Sequence, residues 1–408
     1  MSQSVHSCRI AAKIPDGPAD YAGGSIANLS ATIAQGFGAP AGGAPLSDAL
    51  DNSLRLSERL AEAATVMLVV LDGVGMAQLE RHMPDGCLAA HQHSDLTSVF
   101  PSSTAPAITS LMTGLTPAAH GTAAWFIHHE RPDTIFRSLP MDVRGDPVSP
   151  APADLWSWGG WMRRARGDFY GFQPDFICDS AYSRQALAGA QRLGYCEPSE
   201  LPARLAQIAR QQNRRRQFVY VYLPQFDTIS HQFGCESEQA AQCLRAFDSW
   251  FEQLLTAVQN TPTLVVAVAD HGFIDVLPES QHEMTDFPEI QRCLVAPLAG
   301  EPRAVFCRVA PSAQEGFEQK LANSTLSQFC DVYSSADLLR AGWFGPDLTS
   351  APASPDLLAR IGSHTLVMRD GHTLVDAVPG EQAHQFVGMH GGIMAAEMSV
   401  PLILAGTS

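Results

Sequence analysis

The sequence predicts an α/β fold with a mostly parallel central sheet flanked by helices. Apolar runs such as TVMLVVL (65–71) and TLVVAVA (263–269) are continuous rather than alternating, which is typical of strands buried on both faces of a parallel sheet. These runs alternate with segments of helical spacing, and strand–helix–strand alternation implies parallel pairing through right-handed crossovers. The length of 408 residues is sufficient for a large core.

Before residue 120, apolar runs and helical spacing define the elements. The first 65 residues are rich in Gly, Ala, Pro and Ser without a sustained period, which predicts a segment that wraps the surface and contains a short helix at 47–64. The elements predicted next are, in order, a buried strand at 65–71, a helix at 76–83, a short strand at 95–100 and a helix at 107–114.

Residues 140–181 contain many Pro, Gly and Trp residues, and they predict an irregular excursion over the sheet. Regular patterning then resumes. The elements predicted after this excursion are a helix at 201–216, a strand at 217–227, a long amphipathic helix at 238–259 and a strand at 263–272.

The pattern changes after Gly272, which indicates an inserted unit. The segment is predicted to contain strands at 303–310, 364–370 and 372–378 and a helix at 312–323. A final apolar run at 399–406 is predicted to close the central sheet. We therefore expect a core formed by residues 1–272 together with 386–408, and a small α+β cap at 273–385.

Composition is that of a globular enzyme and excludes some partners. The hydrophobic content is 45% and the charged content 17%. A net charge of −16 argues against a nucleic-acid polymer or an acidic membrane as the partner, although bound metal ions would still allow an anionic substrate. Lysine occurs only at Lys13 and Lys320, so nearly all positive charge is arginine.

Cysteine usage and the amino terminus predict a reduced, cytoplasmic protein. The nine cysteines are dispersed and form no C-x-x-C pair, so a cysteine zinc site is not expected. The first residues lack the cationic and apolar regions of a signal peptide, and no apolar stretch reaches transmembrane length.

Acidic and imidazole side chains follow the ends of the apolar runs. The candidate metal ligands are Asp72, Asp227, His231, Asp270, His271 and His390. Since open α/β folds bind ligands at the carboxyl edge of the sheet, these side chains are expected to meet there. Carboxylates mixed with imidazoles suit zinc, and enough ligands for two ions favour phosphoryl or sulfuryl chemistry.

Each candidate also has an ordinary structural explanation. Asp72 precedes Gly73 and would form a turn, and Asp227 would cap a helix. His390, beside two glycines, would be a loop histidine. However, Asp227 and His231 are four residues apart, so one helical turn places both on the same face. All six at strand termini are harder to explain structurally than any one alone.

Thr104 in VFPSSTAPA (99–107) is a candidate nucleophile because it lies where a helix is predicted to begin. The backbone N–H groups and the positive dipole end of the helix favour an anion there. The alternative is that Ser102, Ser103 or Thr104 caps the helix. Ser103 is a competing nucleophile, and spacing does not separate the two.

Taken together, these motifs resemble those of the alkaline phosphatase superfamily. They are LDG, FPSST, TGL-x-P-x-x-HG (113–121), D-x-x-x-H, ADHG and a late HGG before EMSVPLIL. The most similar branch is the type I phosphodiesterases and nucleotide pyrophosphatases. The resemblance covers roughly 66–120, 218–272 and the last strand.

This resemblance implies an alkaline phosphatase-like fold, two zinc ions and Thr104 as the nucleophile. One ion would be held by Asp72, Thr104, Asp270 and His271, and the other by Asp227, His231 and His390. Sulfatases of the superfamily use C/S-x-P-x-R, whereas Ala107 follows Pro106 here. Cofactor-independent phosphoglycerate mutases use serine with manganese, so Thr104 disfavours that branch as well.

One position departs from the resembled branch, whose members carry an asparagine for a phosphate oxygen shortly after the HG. This chain has Trp125 there, which would stack on a nucleobase or pack, and His128 or His129 would supply the missing contact. The expected partner is a small phosphate ester or nucleotide.

No lysine or arginine lies between Thr104 and Arg131, which favours a diester over a dianionic monoester. A phosphomonoesterase, a phosphonate hydrolase and a non-catalytic metal-bound scaffold are the alternatives.

Overall fold

The computed structural model describes residues 16–40, 42–130, 133–152, 155–211, 215–346, 352–381 and 386–407. The strands of this part of the chain are, in order, β1 (Thr65–Leu71), β2 (Gln92–Thr97), β3 (Phe126–Glu130), β4 (Asp133–Arg137), β5 (Asp142–Val143), β6 (Asp146–Pro150), β7 (Asp168–Pro174), β8 (Gln191–Tyr195), β9 (Gln217–Leu223), β10 (Thr263–Val268), β11 (Ile274–Asp275), β12 (Gln281–Glu283), β13 (Ala299–Glu301), β14 (Ala304–Cys307), β15 (Cys330–Ser334), β16 (His364–Met368), β17 (Thr373–Val375), β18 (Gly388–Met389) and β19 (Ser399–Ala405).

The α-helices lie between these strands, and most are short. In order they are α1 (Ile26–Gly36), α2 (Asp48–Leu54), α3 (Leu56–Glu62), α4 (Met76–His82), α5 (Cys87–Ala90), α6 (Thr104–Thr113), α7 (Pro117–His120), α8 (Asp175–Cys178), α9 (Ala181–Ala186), α10 (Leu201–Ala209), α11 (Gln225–Phe233), α12 (Glu238–Val258), α13 (Pro288–Gln291), α14 (Pro311–Gln314), α15 (Phe317–Ala322), α16 (Ser335–Arg340), α17 (Leu357–Ile361) and α18 (Ala395–Met398).

The central sheet confirms the predicted fold class. Its strand order is β2-β19-β10-β1-β9-β7-β8. The pairs from β10 to β8 are parallel, while the last strand, β19, pairs antiparallel with both β10 and β2. Every residue of β1, β9 and β10 is buried, as their continuous apolar sequences predicted. The run at 399–406 closes the sheet, also as predicted.

The prediction of an irregular excursion at 140–181 was wrong. Its last part forms β7, which lies between β9 and β8 in the central sheet. The sequence of β7, DFYGFQP, contains Gly and Pro and therefore hid the strand. Trp161 is 2% exposed and packs against Phe37 and Phe218, so the aromatic residues of this stretch belong to the core rather than to a surface segment.

Two predicted helices are each divided in two. The helix predicted at 47–64 is α2 and α3, which are separated at Arg55 because its φ of 51° is left-handed. The helix predicted at 312–323 is α14 and α15, which are separated at Gly316, with φ 86°. In both cases the apolar spacing continues through the break, so only the backbone angle reveals it.

A second sheet of eight strands has the order β15-β16-β14-β13-β3-β4-β5-β6. It contains strands from the predicted 273–385 insertion, but also four strands from residues 126–150. The single pairing Gly300 with Phe126 joins these two parts of the chain. The second sheet is therefore not confined to the predicted insertion, and the domain boundaries at 272 and 386 stay a prediction.

No helix within the described ranges has the length and apolar character required to cross a lipid bilayer.

Candidate metal centre

The carboxyl ends of three adjacent strands, β10, β1 and β9, bring five of the predicted ligands together, and His390 joins them from the loop after β18. Val70 of β1 is paired with Val268 of β10, so Asp72 and Asp270 each lie two residues beyond the same level of the sheet. Gly73, at φ 78°, turns the chain sharply after Asp72, as predicted. Asp227 and His231 lie one turn apart on α11, directly after β9.

The first ligand group surrounds His271. Its Nε2 lies 3.1 Å from Thr104 Oγ1, 3.5 Å from Asp72 Oδ1 and 3.6 Å from Asp270 Oδ2. Asp72, Asp270 and His271 each offer a ligand atom to one compact cluster, with these atoms within 4.8 Å of one another. The set predicted for one zinc ion is therefore assembled around one point.

The second ligand group surrounds Asp227. Its Oδ1 lies 3.4 Å from His231 Nε2 and 3.7 Å from His390 Nε2. Asp227, His390 and His271 form another compact cluster of ligand atoms. The rings of His271 and His390 stack with their centroids 3.7 Å apart, so His271 lies between the two groups. The assignment of His271 to one ion rather than to both stays a prediction.

Three buried carboxylate oxygens in the cluster have no hydrogen-bond partner. They are Asp72 Oδ1, Asp227 Oδ1 and Asp270 Oδ2. Burial, reinforced by the carboxylates of Asp270 and Asp227, raises the pKa of Asp72 well above its usual value. Burial also raises the pKa of Asp227, although His231 and His271 oppose it. Such crowded, unsatisfied oxygens are what divalent cations would compensate, so the residues fit a metal centre.

The three histidines are oriented by backbone carbonyls. The Nδ1 atoms of His231, His271 and His390 lie 2.9–3.1 Å from the carbonyl oxygens of Gly388, Gly272 and Ser102. This contact favours a proton on Nδ1 and leaves each Nε2 as a free ligand. Burial, together with His271 and His231, holds the pKa of His390 well below its usual value. Neutral imidazole is the form that binds metal.

The nucleophile turn (Ser102–Thr104) separates its three hydroxyl groups. Thr104 is the first residue of α6 and is half-buried, whereas Ser102 and Ser103 are buried. Ser102 donates to the carbonyl oxygen of Gly392, and the Ser103 side chain hydrogen-bonds to Glu301. Ser103 precedes α6 without a side-chain capping bond. Of the three hydroxyl groups, that of Thr104 therefore faces the ligand group at His271, whereas the two serine hydroxyls bond elsewhere.

The two predicted substrate contacts differ in position. The backbone N–H of Trp125 donates to Glu301 Oε1 at 2.6 Å, which places Trp125 beside the nucleophile turn. His128 is buried elsewhere in the second sheet, where its Nε2 lies 2.6 Å from both Asp133 Oδ1 and Arg308 Nη1. The contacts found for His128 are structural, so they do not support its predicted role.

Two residues near the ligands were missed by sequence reasoning. Tyr222 donates its hydroxyl proton to Asp72 Oδ2, and its place in the apolar run of β9 gave no signal. Glu301 is buried at the end of β13, and this burial raises its pKa to about 7 while hydrogen bonds from Ser103 and Trp125 oppose the rise. No local pattern connects Glu301 with a turn almost two hundred residues earlier.

The solved structures with a similar fold include proteins named as phosphodiesterases and as a phosphonate hydrolase. Murine ectonucleotide pyrophosphatase/phosphodiesterase 5 superposes with a TM-score of 0.62 at 15% identity, over 84% of this chain and 88% of that one. An inactive variant of the murine protein in complex with AMP gives 0.61 at 15% identity, over 84% and 87% of the two chains.

A bacterial structure is similar to the same extent. Phosphonoacetate hydrolase from Sinorhizobium meliloti 1021, in complex with phosphonoformate, gives a TM-score of 0.60 at 16% identity, over 84% of this chain and 90% of that one. These likenesses concern the fold alone. No curated protein matches the sequence.

The family comparison covers most of the chain. The model of type I phosphodiesterase/nucleotide pyrophosphatase matches residues 66–393, which include all the predicted ligands and Thr104. The chain therefore belongs to the type I phosphodiesterase/nucleotide pyrophosphatase family of phosphoester hydrolases.

Proposed function

We propose that this protein is a two-zinc hydrolase that cleaves a phosphate diester or nucleotide pyrophosphate bond through a phosphothreonine intermediate. The observation that carries the proposal is the position of the Thr104 hydroxyl. It lies at the start of α6 and 3.1 Å from His271 Nε2, beside two clusters of carboxylate and imidazole ligands. The ligands would be Asp72, Thr104, Asp270 and His271 for one ion, and Asp227, His231 and His390 for the other.

Zinc, when bound, would lower the pKa of a coordinated hydroxyl or water and neutralise charge on the phosphoryl oxygens. The protein supplies the geometry. Thr104 Oγ1 gives its proton to solvent and attacks phosphorus, the leaving alcohol or phosphate departs with the electron pair of the broken P–O bond and takes up a proton from solvent, and a phosphothreonine forms. The N-terminal N–H groups of α6 favour the phosphoryl anion. Water then cleaves the phosphothreonine, which releases the phosphorylated product and restores Thr104.

The charges near the centre favour a diester. Arg303 acts electrostatically on His390, but its charge is neutralised by a bidentate pair with Glu397. Lys320, one of two lysines, donates to Cys293 Sγ at 3.4 Å in the second sheet's own core, and Lys13 lies outside the described residues. A dianionic monoester, or the carboxylate of phosphonoacetate, would require a further cation.

A phosphonate hydrolase is the second candidate, because the similar bacterial structure carries that activity in its name. A phosphomonoesterase of the same superfamily is the third.

We also propose that the protein is cytoplasmic and that residues 273–385 form a cap on the core. All eight cysteines within the described ranges are free thiols, as a reducing compartment would keep them.

A panel of four substrates tests the proposal. The purified zinc-loaded protein would be assayed with bis-p-nitrophenyl phosphate, a nucleoside p-nitrophenyl phosphodiester, p-nitrophenyl phosphate and a sulfate ester, with phosphonoacetate added for the second candidate. We expect the highest kcat/KM for a diester. A preference for the monoester or the phosphonate would overturn the diester assignment.

The same panel addresses a non-catalytic scaffold. A scaffold would take up zinc and turn over none of the substrates. Mass spectrometry of protein quenched during turnover would detect phosphothreonine at Thr104, and its absence during rapid turnover would contradict the covalent route.

A further inference from the structure

A fully buried ion pair connects the second sheet with the segment that carries His390. Arg303 lies in the turn between β13 and β14, and Glu397 lies on α18. Arg303 Nε and Nη2 donate to the two carboxylate oxygens of Glu397 at 2.7 and 2.9 Å, and both side chains are 0% exposed. A bidentate pair of this kind fixes orientation as well as distance.

Glu397 also makes hydrogen bonds to two separate segments of the chain beside the candidate metal centre. Its carboxylate accepts the backbone N–H of Gly392 at 2.8 Å and that of Met394 at 3.2 Å. Its backbone carbonyl accepts the N–H of Gly272, the residue after His271, at 2.9 Å. One residue therefore contacts the segments that follow two predicted ligands.

Arg303 is anchored in turn to the second sheet, because its backbone carbonyl accepts the N–H of Met368, the last residue of β16, at 2.9 Å. Its Nη1 donates to the carbonyl oxygen of His372 at 2.7 Å, directly before β17, which pairs with β12 in a separate two-stranded sheet. The neighbouring residue of the same turn, Pro302, accepts the N–H of Leu374. The Arg303 side of the ion pair is thus set by the second sheet, whereas its carboxylate partner directly precedes β19 of the central sheet.

The two glycines after His390 allow this contact. A Cβ atom on Gly392 would lie 2.6 Å from Glu397 Oε2 and 2.8 Å from Arg303 Nε. A Cβ atom on Gly391, whose φ is 104°, would lie 2.8 Å from the Cβ of Glu301. The backbone after His390 therefore lies directly against the ion pair and against Glu301, with no room for side chains.

We propose that Arg303 and Glu397 are positioning residues for His390, through which the second sheet sets the geometry of the Asp227 ligand group. The inference rests on the proposed function in one respect, because it takes His390 as a zinc ligand. A merely structural ion pair would change the stability of the protein without changing the affinity of one ion selectively.

Zinc titration of the chelator-treated protein tests this proposal. Glu397→Gln and Arg303→Met should each weaken binding of one of the two ions by about 10- to 100-fold and leave the other unchanged, as is typical when the support of a ligand is removed. The matched control is Arg144→Met. Arg144 is also buried in the second sheet and paired with two carboxylates, Asp376 and Glu381, but has no described contact with the His390 segment.

A double variant separates positioning from stability. In Arg303→Met/Glu397→Met both charges are removed, so thermal stability should recover relative to the single variants. The carboxylate that accepts the Gly392 and Met394 N–H groups is still missing, so the affinity for the affected zinc ion should stay as low as in the single variants. Recovery of both stability and full affinity would overturn the proposal, as would single variants that bind both ions as tightly as the wild type.

Failure of the proposed function would look different. A wild-type protein that binds two zinc ions but hydrolyses no ester would contradict the hydrolase and leave the titration interpretable. A wild-type protein that hydrolyses diesters, with variants of unchanged zinc affinity, would contradict only the positioning role.

Discussion

The two ligand groups of the centre are made from different kinds of structure. Asp72, Asp270 and His271 directly follow central strands, and their side chains are at most 2% exposed. Asp227 and His231, on a short helix, are 18% and 20% exposed, and His390 lies in a loop. The register of buried strands places the first group, whereas contacts among a helix, a loop and the second sheet place the other. We therefore expect the first to be rigid and the second to depend on distant residues.

The largest expected effect is at Thr104, the proposed nucleophile, beside the first group. Thr104→Ala should lower kcat on bis-p-nitrophenyl phosphate by roughly 10³-fold or more, because no other hydroxyl of the turn is free to attack. Thr104→Ser, which keeps a hydroxyl, is the control and should retain far more activity. Full turnover by the alanine variant would rule out the covalent route.

Asp72→Asn should reveal the crowding of the first group. We expect zinc affinity to fall on the order of 10²-fold or more, because an anionic ligand is lost. The metal-free protein should become more stable by about 1 kcal/mol, because a buried carboxylate no longer faces Asp270 and Asp227. Urea denaturation with chelator and with zinc would measure both effects. A metal-free variant less stable than the wild type would contradict the crowding.

His231→Ala should affect the second group more mildly. Its side chain is partly exposed, so water can replace the imidazole, and we expect one ion to bind about 10-fold to 100-fold more weakly while the other is unchanged. The exposed His93→Ala is the control, because its Nδ1 contacts only the nearby carbonyl of His91 in the described structure. Equal weakening of both ions would show that the groups are not independent.

The smallest expected effect is the pH dependence. The pKa values of Asp72 and Asp227 are raised in the metal-free protein, so zinc must displace protons, and apparent affinity should rise by up to about tenfold per pH unit for each proton released.

Stability of the metal-free protein should change in the opposite direction. A carboxyl group whose pKa is higher in the folded than in the unfolded chain stabilises the fold at pH values below its unfolded pKa. This contribution is lost as the pH rises through its folded pKa. From about pH 5 to 8, titration calorimetry would measure the zinc affinity and scanning calorimetry the stability of the metal-free protein. Zinc affinity that is independent of pH would contradict them.

The position of the first group follows from sequence patterns more directly than that of the second. β1 and β10 are strands because their apolar runs are continuous, and the acidic residues after them are at one level because the strands are parallel neighbours. β7 was missed because its sequence contains Gly171 and Pro174, which are unfavourable in strands. A Cβ atom on Gly171 would collide with the side chain of Leu187.

The support of the second group could not be predicted in the same way. Arg303 and Glu397 are 94 residues apart, and although Glu397 opens the EMSVPLIL run, no local pattern connects it with Arg303. Strands from 126–150 join those from 299–368 through one short pairing. Contacts between such distant residues depend on complementary shape and charge in the packed structure, so the local spacing of residues does not predict them.

By itself, the sequence determined the α/β class and the hydrolase family, and it predicted which residues would meet as candidate metal ligands, because periodicity and short motifs are properties of neighbouring residues. Only the tertiary structure decided which hydroxyl faces His271, where Glu301 and Tyr222 lie and how the second sheet reaches His390. Those features depend on burial and on contacts between distant segments, and the chain acquires them only when it packs.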